Sequence, residues 1–508
     1  MKKYISILLI LVVNYSIHSQ TISDALLYAN DNLSGTARFR SMSGAFGALG
    51  GDFSSINVNP AGSAVFLNNQ ASFTLTNFNI RNKSNYFGTE VATENNAFDI
   101  NQAGGILVFD NQNNSSDWKK IVFAVNYENT SNLDNALDTF GTNPTNSIAN
   151  YFLSYANPGL YNTTIPISTL TDPNTHYEDL DIRNQQAYLG LLGYVIKADP
   201  NNSSNNTYVS NVPGGHYYQE NFTDSRGLNG KVSINFATQY KDRFYFGLNL
   251  NSHFTDYTKT TTFYEENDNS TNTGLKNLYF ENYQNTYGNG FSFQFGAIAK
   301  VTAKLRTGLS YESPTWYRLT DEKQQLLQST GYNYGNPVNP NSSSQIVDSN
   351  YLLIYPEYKL QTPSKWTGSL AYVFGKQGLI SLDYSMKNYS KTRFAPNDSF
   401  FRPLNANIDS QLNTASEFRI GGEFRVKQWS LRGGYRYEES PYKDKKVVGD
   451  LAGFSTGFGY NFGTTRLDMA YAYSQRKSQQ SFFSQGFTDG PEVTTKNNTI
   501  SLTLVFEL

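Results

Sequence analysis

The sequence predicts an all-β protein: a transmembrane antiparallel β-barrel of about 14 strands, with an N-terminal hatch (plug) in its lumen. Three observations carry this expectation. Aromatic residues make up 15 % of the 508 residues, with 37 Tyr and 35 Phe, while the mean hydropathy is negative. From Ala71 onward, apolar and polar residues alternate with period two, as they do where one strand face meets lipid and the other a polar lumen. The connections between these runs alternate between very short and long. A soluble core has no need of so many aromatics beside so much Asn, Ser, Thr and Gly; a barrel with aromatic girdles at both interfaces does.

The chain begins "MKKYISILLILVVNYSIHSQ". Lys2 and Lys3 precede a short apolar core, Ile5–Val13, and Ile17-His18-Ser19 offers a cleavage site before Gln20. Residues 1–19 therefore read as a secretory signal peptide, too short and wrongly flanked for a membrane anchor. No other stretch approaches the ~20 apolar residues of a membrane helix, so any span must be β. The chain has no cysteine, which excludes disulfides, thiolate zinc sites, a Cys nucleophile and a lipid anchor, and suits an oxidising compartment. A net charge of −2 and the lack of any nucleic-acid-binding signature predict no nucleic-acid partner.

Residues 20–69 are expected to fold as the hatch. They carry "SMSGAFGALG" and then "GGDFSSINVNPAGSAVF", Gly50–Phe66. A phosphate loop would need a Lys-Ser/Thr or a later acidic partner and a strand before the glycines. Gly44, Gly47, Gly50 and Gly51 have neither. Small residues instead let a backbone pack closely, and Pro60 is expected to fix the turn leading to the first strand.

Residues 70–508 are expected to form the barrel. Its last strand, "TISLTLVFEL", places Ile500, Leu502, Leu504, Phe506 and Leu508 on one face and Ser501, Thr503 and Glu507 on the other. Comparable runs predict strands near 70–80, 101–109, 118–128, 226–240, 243–263, 277–301, 304–326, 351–374, 378–393, 411–426, 429–439, 449–462, 465–477 and 495–508. Connections after even-numbered strands are mostly short, as at Lys241, Thr302, Lys376, Lys427 and Gly463. Those after odd-numbered strands are long and polar. This sorting marks an outer-membrane barrel with short periplasmic turns, and an even strand number puts both termini on that side. A soluble sandwich would not sort its loops so.

The longest connection, 129–225, is expected to be extracellular and to contain short helices. "SIANYFLSYA" sets Ile148, Tyr151, Phe152 and Tyr155 at helical spacing, and "NQQAYLGLLGYVI" does the same for Ala187, Tyr188, Leu191, Leu192 and Val195. Either these helices pack the loop onto the barrel rim, or they leave an exposed apolar groove that catches hydrophobic ligands. In the second reading Phe152, Tyr155, Leu191 and Leu192 are the ligand contacts.

Strand parity places Arg419, Glu423, Arg432, Arg436, Glu438 and Asp468 on the lumenal face. Charges there need partners, so an ion-pair network holding the hatch is expected, with one arginine free to take a carboxylate ligand. No catalytic residue, metal site or cofactor is predicted. After signal removal only His176, His216 and His253 remain, none beside a recognisable Ser or at metal-ligand spacing. A TonB-dependent receptor would need a much larger plug and about 22 strands.

A hatch ending in Asn59-Pro60-Ala61-Gly62, followed by these strands, resembles the FadL-type outer-membrane channels for long-chain fatty acids and other hydrophobic compounds. The likeness continues through "LRTGLSYESP" (Leu305–Pro314), "LQTPSKWTGSLAYVF" (Leu360–Phe374), "EFRIGGEFRV" (Glu417–Val426), "LRGGYRYEESP" (Leu431–Pro441) and "LAGFSTGFGYNF" (Leu451–Phe462). Residues 82–225 match only in architecture. The resemblance implies an outer-membrane channel for passive uptake of hydrophobic small molecules, fatty acids or other lipophiles. The alternative is a barrel of the same type that binds proteins in a secretion or surface-assembly system, with 129–225 as the docking surface.

Overall fold

The computed structural model describes residues 20–508 apart from 114, 160–162, 203–206, 270–272, 334–335, 340–343 and 350. The expected signal peptide, 1–19, lies outside the described residues. Fourteen antiparallel strands close into one barrel. They are β1 (Gln70–Tyr86), β2 (Thr89–Asp110), β3 (Trp118–Asn132, resuming as Asn135–Asn143) and β4 (Tyr217–Tyr240). Then come β5 (Phe244–Asn267), β6 (Leu275–Lys300), β7 (Leu305–Glu312, resuming as Trp316–Asn333) and β8 (Lys365–Val373). The last six are β9 (Gly378–Asn388), β10 (Thr414–Val426), β11 (Trp429–Glu438), β12 (Leu451–Asn461), β13 (Thr465–Gln479) and β14 (Glu492–Glu507). β14 returns to β1, from Gln70↔Glu507 to Asn85↔Glu492. Closure pairs the backbone groups that an open sheet edge would expose to hydrocarbon.

The alternation in the sequence becomes the two faces of the wall. Ile500, Leu502, Leu504 and Phe506 point outward and exposed, whereas Ser501 and Thr503 are buried in the lumen. Turns at 241–243, 301–304, 374–377, 427–428 and 462–464 gather at one end, and longer connections rise from the other, apart from the two-residue turn between β1 and β2, where a long connection was expected.

Several boundaries differ from expectation. The connection expected over 129–225 is shorter, because β3 runs on through Asn135–Asn143 and β4 starts at Tyr217, the two pairing from Asn135↔Ser225 to Asn143↔Tyr217. β1 and β2 do not stop at 80 and 101; they continue as a hairpin that closes at Phe87-Gly88, both at positive φ. Alternating residues such as Thr89, Val91 and Thr93 sustain the pairing, and Gly88 accepts the left-handed turn. The expected strand 304–326 breaks at Ser313–Thr315 around Pro314, which has no N–H to give to a ladder. The expected strand 351–374 is cut into Leu353–Ile354, Tyr358–Gln361 and β8, with Pro356 and Pro363 in the gaps. A helix at Phe401–Gln411 fills the connection between β9 and β10, where none was expected.

The N-terminal segment lies inside the barrel. It contains α1 (Ile22–Ala29), α2 (Ala37–Ser41) and two 3-10 helices, Phe53–Asn57 and Pro60–Val65. Thr21 opens α1 with a capping box, its hydroxyl accepting from Asp24 N while the Asp24 carboxylate accepts from Thr21 N. α2 packs against β11–β14, and Pro60–Val65 packs against β3–β6, so the segment spans the lumen between opposite walls. Pro60 is the first residue of a 3-10 helix, where its missing N–H costs nothing. The handover to β1 comes later, after Phe66.

Candidate functional site: the lumenal segment and its seat

Asn59 caps the 3-10 helix with its side-chain oxygen, which accepts from Ala61 N at 3.1 Å. Its amide nitrogen donates to Gly47 O within the segment at 2.7 Å and to Ala297 O on β6 at 3.1 Å. Pro60 O accepts from Asn235 on β4 at 3.0 Å, and Asn249 on β5 donates to Ile56 O at 2.8 Å. Asn59, Asn235 and Asn249 are fully buried, so all three depend on these partners. Ala61 and Gly62 follow Pro60 in the same helix, both buried.

The wall is shaped to receive this corner. A Cβ at Gly296 would run into the Asn59 side chain, one at Gly247 into the Pro60 carbonyl group, and one at Gly308 into Gly47 O. These three glycines face the lumen where the backbone of the segment comes closest. At the opposite wall, a Cβ on Gly421 would lie 2.5 Å from Met42 O, and one on Gly434 2.5 Å from Met42 C. Sequence reading missed this seat. Its only signal is Gly at lumen-parity positions, which period-two scanning counts as merely non-apolar.

The lumen charges form a network centred on Glu423. Glu423 accepts from Arg432 at 2.6 Å and from Arg38 of α2 at 2.9 Å, and Arg432 also reaches Asp468 at 2.7 Å. Arg419 pairs with Glu417 at 2.6 Å, and Glu438 faces Arg476 at 3.1 Å. Arg436 stands apart, its Nη1 buried without a hydrogen-bond partner. Six members went unnoticed in the sequence: Arg38, Glu417, Arg476, Asp31, Lys365 and Lys387. Asp31, between α1 and α2, pairs with Lys365 at 2.8 Å and Lys387 at 2.9 Å, and Lys387 also donates to Ala29 O. Burial alone would raise the Asp31 carboxyl, but the two ammonium groups outweigh it and hold it well below the usual carboxylate range. Lys365 and Lys387 lie at lumen parity in β8 and β9, so the sequence does carry that half of the clamp.

Above the rim, α3 (Ala149–Ala156), α4 (Ile167–Thr171) and α5 (Ile182–Leu192) build a cap on the upper strands. Phe152 and Tyr155 are buried in its core with Phe263, Phe280, Leu327 and Phe487; Leu191 and Leu192 are half-buried against it. Of the two readings, the helices pack the loop onto the rim, and the alternative open groove at Phe152 and Tyr155 is filled. Gly190 permits this, since a Cβ there would sit 2.7 Å from Phe152 Cβ.

His253 also departs from expectation, for its Nε2 lies 2.9 Å from Ser292 Oγ. The β5–β6 register makes them neighbours. The other ring nitrogen faces Tyr317 OH at 3.4 Å, not a carboxylate, so the pair lacks the third group that orients a catalytic base. Among the described residues no cluster of His, Asp or Glu could hold a metal ion.

One seam of the wall differs from the rest. The β2–β3 ladder runs from Asp110↔Lys120 to Gln102↔Glu128 and stops, while β2 continues to Thr89 paired with β1 alone. Side chains span the interval: Asn101 Nδ2 of β2 donates to Asn129 O of β3 at 3.3 Å while its Oδ1 accepts from Gly35 N of the lumenal segment at 2.7 Å, Thr93 Oγ1 of β2 accepts from Asp138 N of β3 at 3.0 Å, and Asn82 and Ser84 of β1 donate to Ala136 O and Asp138 O of β3. Behind the seam lies a cavity of about 110 Å³, lined by Leu33, Arg40, Phe78, Ile80 and Arg436 among others.

A closed barrel with an apolar outer face and a folded segment across its lumen defines an outer-membrane channel protein. Among the described residues no helix is long and apolar enough to cross a membrane. The chain belongs to the outer membrane protein transport family (OMPP1/FadL/TodX), whose model matches residues 182–506. Its fold is similar to that of a FadL homologue from Pseudomonas aeruginosa, at 13 % identity and a TM-score of 0.53, over 94 % of this chain and 99 % of that one. It is also similar to the toluene transporter TodX of Pseudomonas putida, at 12 % identity and a TM-score of 0.52, over 94 % of this chain and all (100 %) of that one. No curated protein matches the chain by sequence.

Proposed function

We propose that the protein admits hydrophobic small molecules, such as long-chain fatty acids, passively across the outer membrane, with residues 20–69 as its hatch. The β2–β3 seam carries this reading. There an internal cavity abuts a stretch of wall closed by side-chain hydrogen bonds in place of a backbone ladder. Such bonds contribute roughly 0.5–1.5 kcal/mol each and can open locally while the barrel stays closed elsewhere. A lipophile leaving through the seam enters hydrocarbon directly. The hatch is held both by apolar packing against the wall and by polar contacts at Asn59, Arg38 and Asp31. The similar fold of a protein described as a toluene transporter supports the hydrophobic class.

The test is uptake of radiolabelled oleate and toluene by cells that lack their own channel of this type and express this chain. Uptake of at least one above empty vector is expected. Uptake equal to vector for both overturns the reading. Purification from native membranes with a stoichiometric protein partner and no transport would favour the scaffold alternative.

A further inference from the structure

Tyr435, Phe454 and Tyr473 stand side by side on the outward faces of β11, β12 and β13, in register across the three strands. The Phe454 and Tyr473 rings are 5.2 Å apart. The next outward residue of β12, towards the long connections, is Ala452, with Gln475 of β13 opposite it. Its small side chain leaves a groove of about 570 Å³ in the outer wall, floored by these aromatic rings and bordered above by Gly449 and Asp450 of the β11–β12 connection. Lys445 and Lys477 line the same upper border.

Cations continue from this border along the wall. Lys496 of β14 lies opposite Gln475 on one side and opposite Arg81 of β1 on the other, and Lys83 is the next outward residue of β1. Lys477, Lys496, Arg81 and Lys83 are all exposed. Lys445, Lys477, Arg81 and Lys83 each have one carboxylate, from Asp450, Glu492, Glu94 and Glu90 respectively. Among the described residues Lys496 has none, and a like charge directly across a ladder, as Arg81 is, is unfavourable. An ammonium has three N–H donors, so Lys445 and Lys477 can each take a second anion beside their carboxylate. The height of the row is that of lipid headgroups. Lys496 stands about 34 Å along β14 from Phe506, and a strand tilt of about 40° makes that roughly 26 Å of height, the thickness of a barrel's apolar band.

We infer that this groove and its cationic border hold a phosphate-bearing lipid of the outer leaflet. One acyl chain lies over Ala452 against Phe454 and Tyr473, and the phosphate sits at Lys477 with Lys445 and Lys496 on either side. Lys477 and Lys496 are diagonal neighbours on adjacent strands, about 7–8 Å apart at the backbone, which two long side chains can close around one phosphate. A neutral lipid would leave Lys496 facing Arg81; a phosphate supplies the missing charge. The site lies on the outside of the barrel and is independent of what passes through the lumen.

The experiment measures, by native mass spectrometry, binding of diphosphoryl lipid A and of its fully dephosphorylated form to the full mature chain purified in detergent. The two probes share their acyl chains and differ in phosphate. Wild type should bind the phosphorylated form about tenfold or more tighter, the scale of charge-assisted contacts. Lys477→Gln combined with Lys496→Gln should remove that preference, and Lys477→Arg with Lys496→Arg should keep it. Ala452→Trp fills the groove without touching a charge and should weaken both lipids. Arg318→Gln, which removes an exposed cation from β7 on the far side of the barrel, should leave binding unchanged. Heat-modifiable migration on gels reports that each variant is folded. Equal binding of the two lipids by wild type, a preference that survives the double Gln variant, or undiminished binding in Ala452→Trp overturns the inference. An equal loss with Arg318→Gln also overturns it, since net charge alone would then account for binding. So does displacement of the lipid by an equal concentration of inorganic phosphate, which would make the row a small-anion site.

Discussion

Asn59 of the N-terminal segment donates to the carbonyl of Ala297 on β6, 3.1 Å away, while the same amide holds Gly47 O at 2.7 Å. One side chain thereby fixes the segment to itself and to the wall. Asn59→Ala leaves Gly47 O and Ala61 N without that partner, at a cost of about 1–3 kcal/mol. The wall ladders are untouched, so heat-modifiable migration on gels should be normal. Conductance of the reconstituted variant for small ions should rise. Pro60→Gly should act in the same direction by freeing the backbone at the start of the helix. Normal insertion with unaltered conductance in both variants would refute the anchoring role of this corner.

Gly296 and Gly247 should be intolerant of side chains for a reason outside their own strands. A Cβ at either position meets Asn59 or Pro60, so Gly296→Val should raise conductance as Asn59→Ala does. Val is a good strand former, and the barrel itself should assemble. The two substitutions combined should give little more leak than either alone, since they break one contact.

Asp31 makes the hatch clamp insensitive to mild acid. The groups facing it are Lys365 and Lys387, with Glu417 beyond Lys365. A carboxyl held below its unfolded value stabilises the folded state fully above the usual carboxylate range, and that stability fades only as pH falls through the depressed value. Wild-type conductance attributable to this clamp should therefore stay flat from pH 7 to about 4. Asp31→Asn should leak at pH 7 already. A wild-type leak that opens between pH 7 and 5, and is abolished by Asp31→Asn, would contradict this account.

The cap should be separable from the barrel. Gly190→Val forces α5 away from Phe152, and overpacking of this kind costs about 1–3 kcal/mol. Limited proteolysis should then cut within 144–216 while the barrel remains protease-resistant. Protection equal to wild type would show that the cap core can shift to make room.

The sequence by itself determined the wall. Lipid on one side and a polar lumen on the other impose period two on each strand separately, so Phe424 against Glu423, or Leu502 against Thr503, reveals its face without knowledge of its neighbours. The Asn-Pro-Ala-Gly corner was legible only as a turn: Pro60 was expected to lead into the first strand and instead opens a 3-10 helix capped by Asn59. Tertiary structure alone decided what meets across the lumen. Arg38 finds Glu423 across 385 residues of chain, His253 meets Ser292 through the register of β5 and β6, and Gly296 takes its meaning from Asn59. Apolar spacing at Phe152 and Tyr155 allowed either a packed loop or an open groove, and whether helical faces stay open or close on each other depends on their partners, here Gly190, Phe280 and Phe487. Alternation constrains one strand at a time; barrel closure and register, which bring distant strands and the segment between them into contact, are set by the chain as a whole.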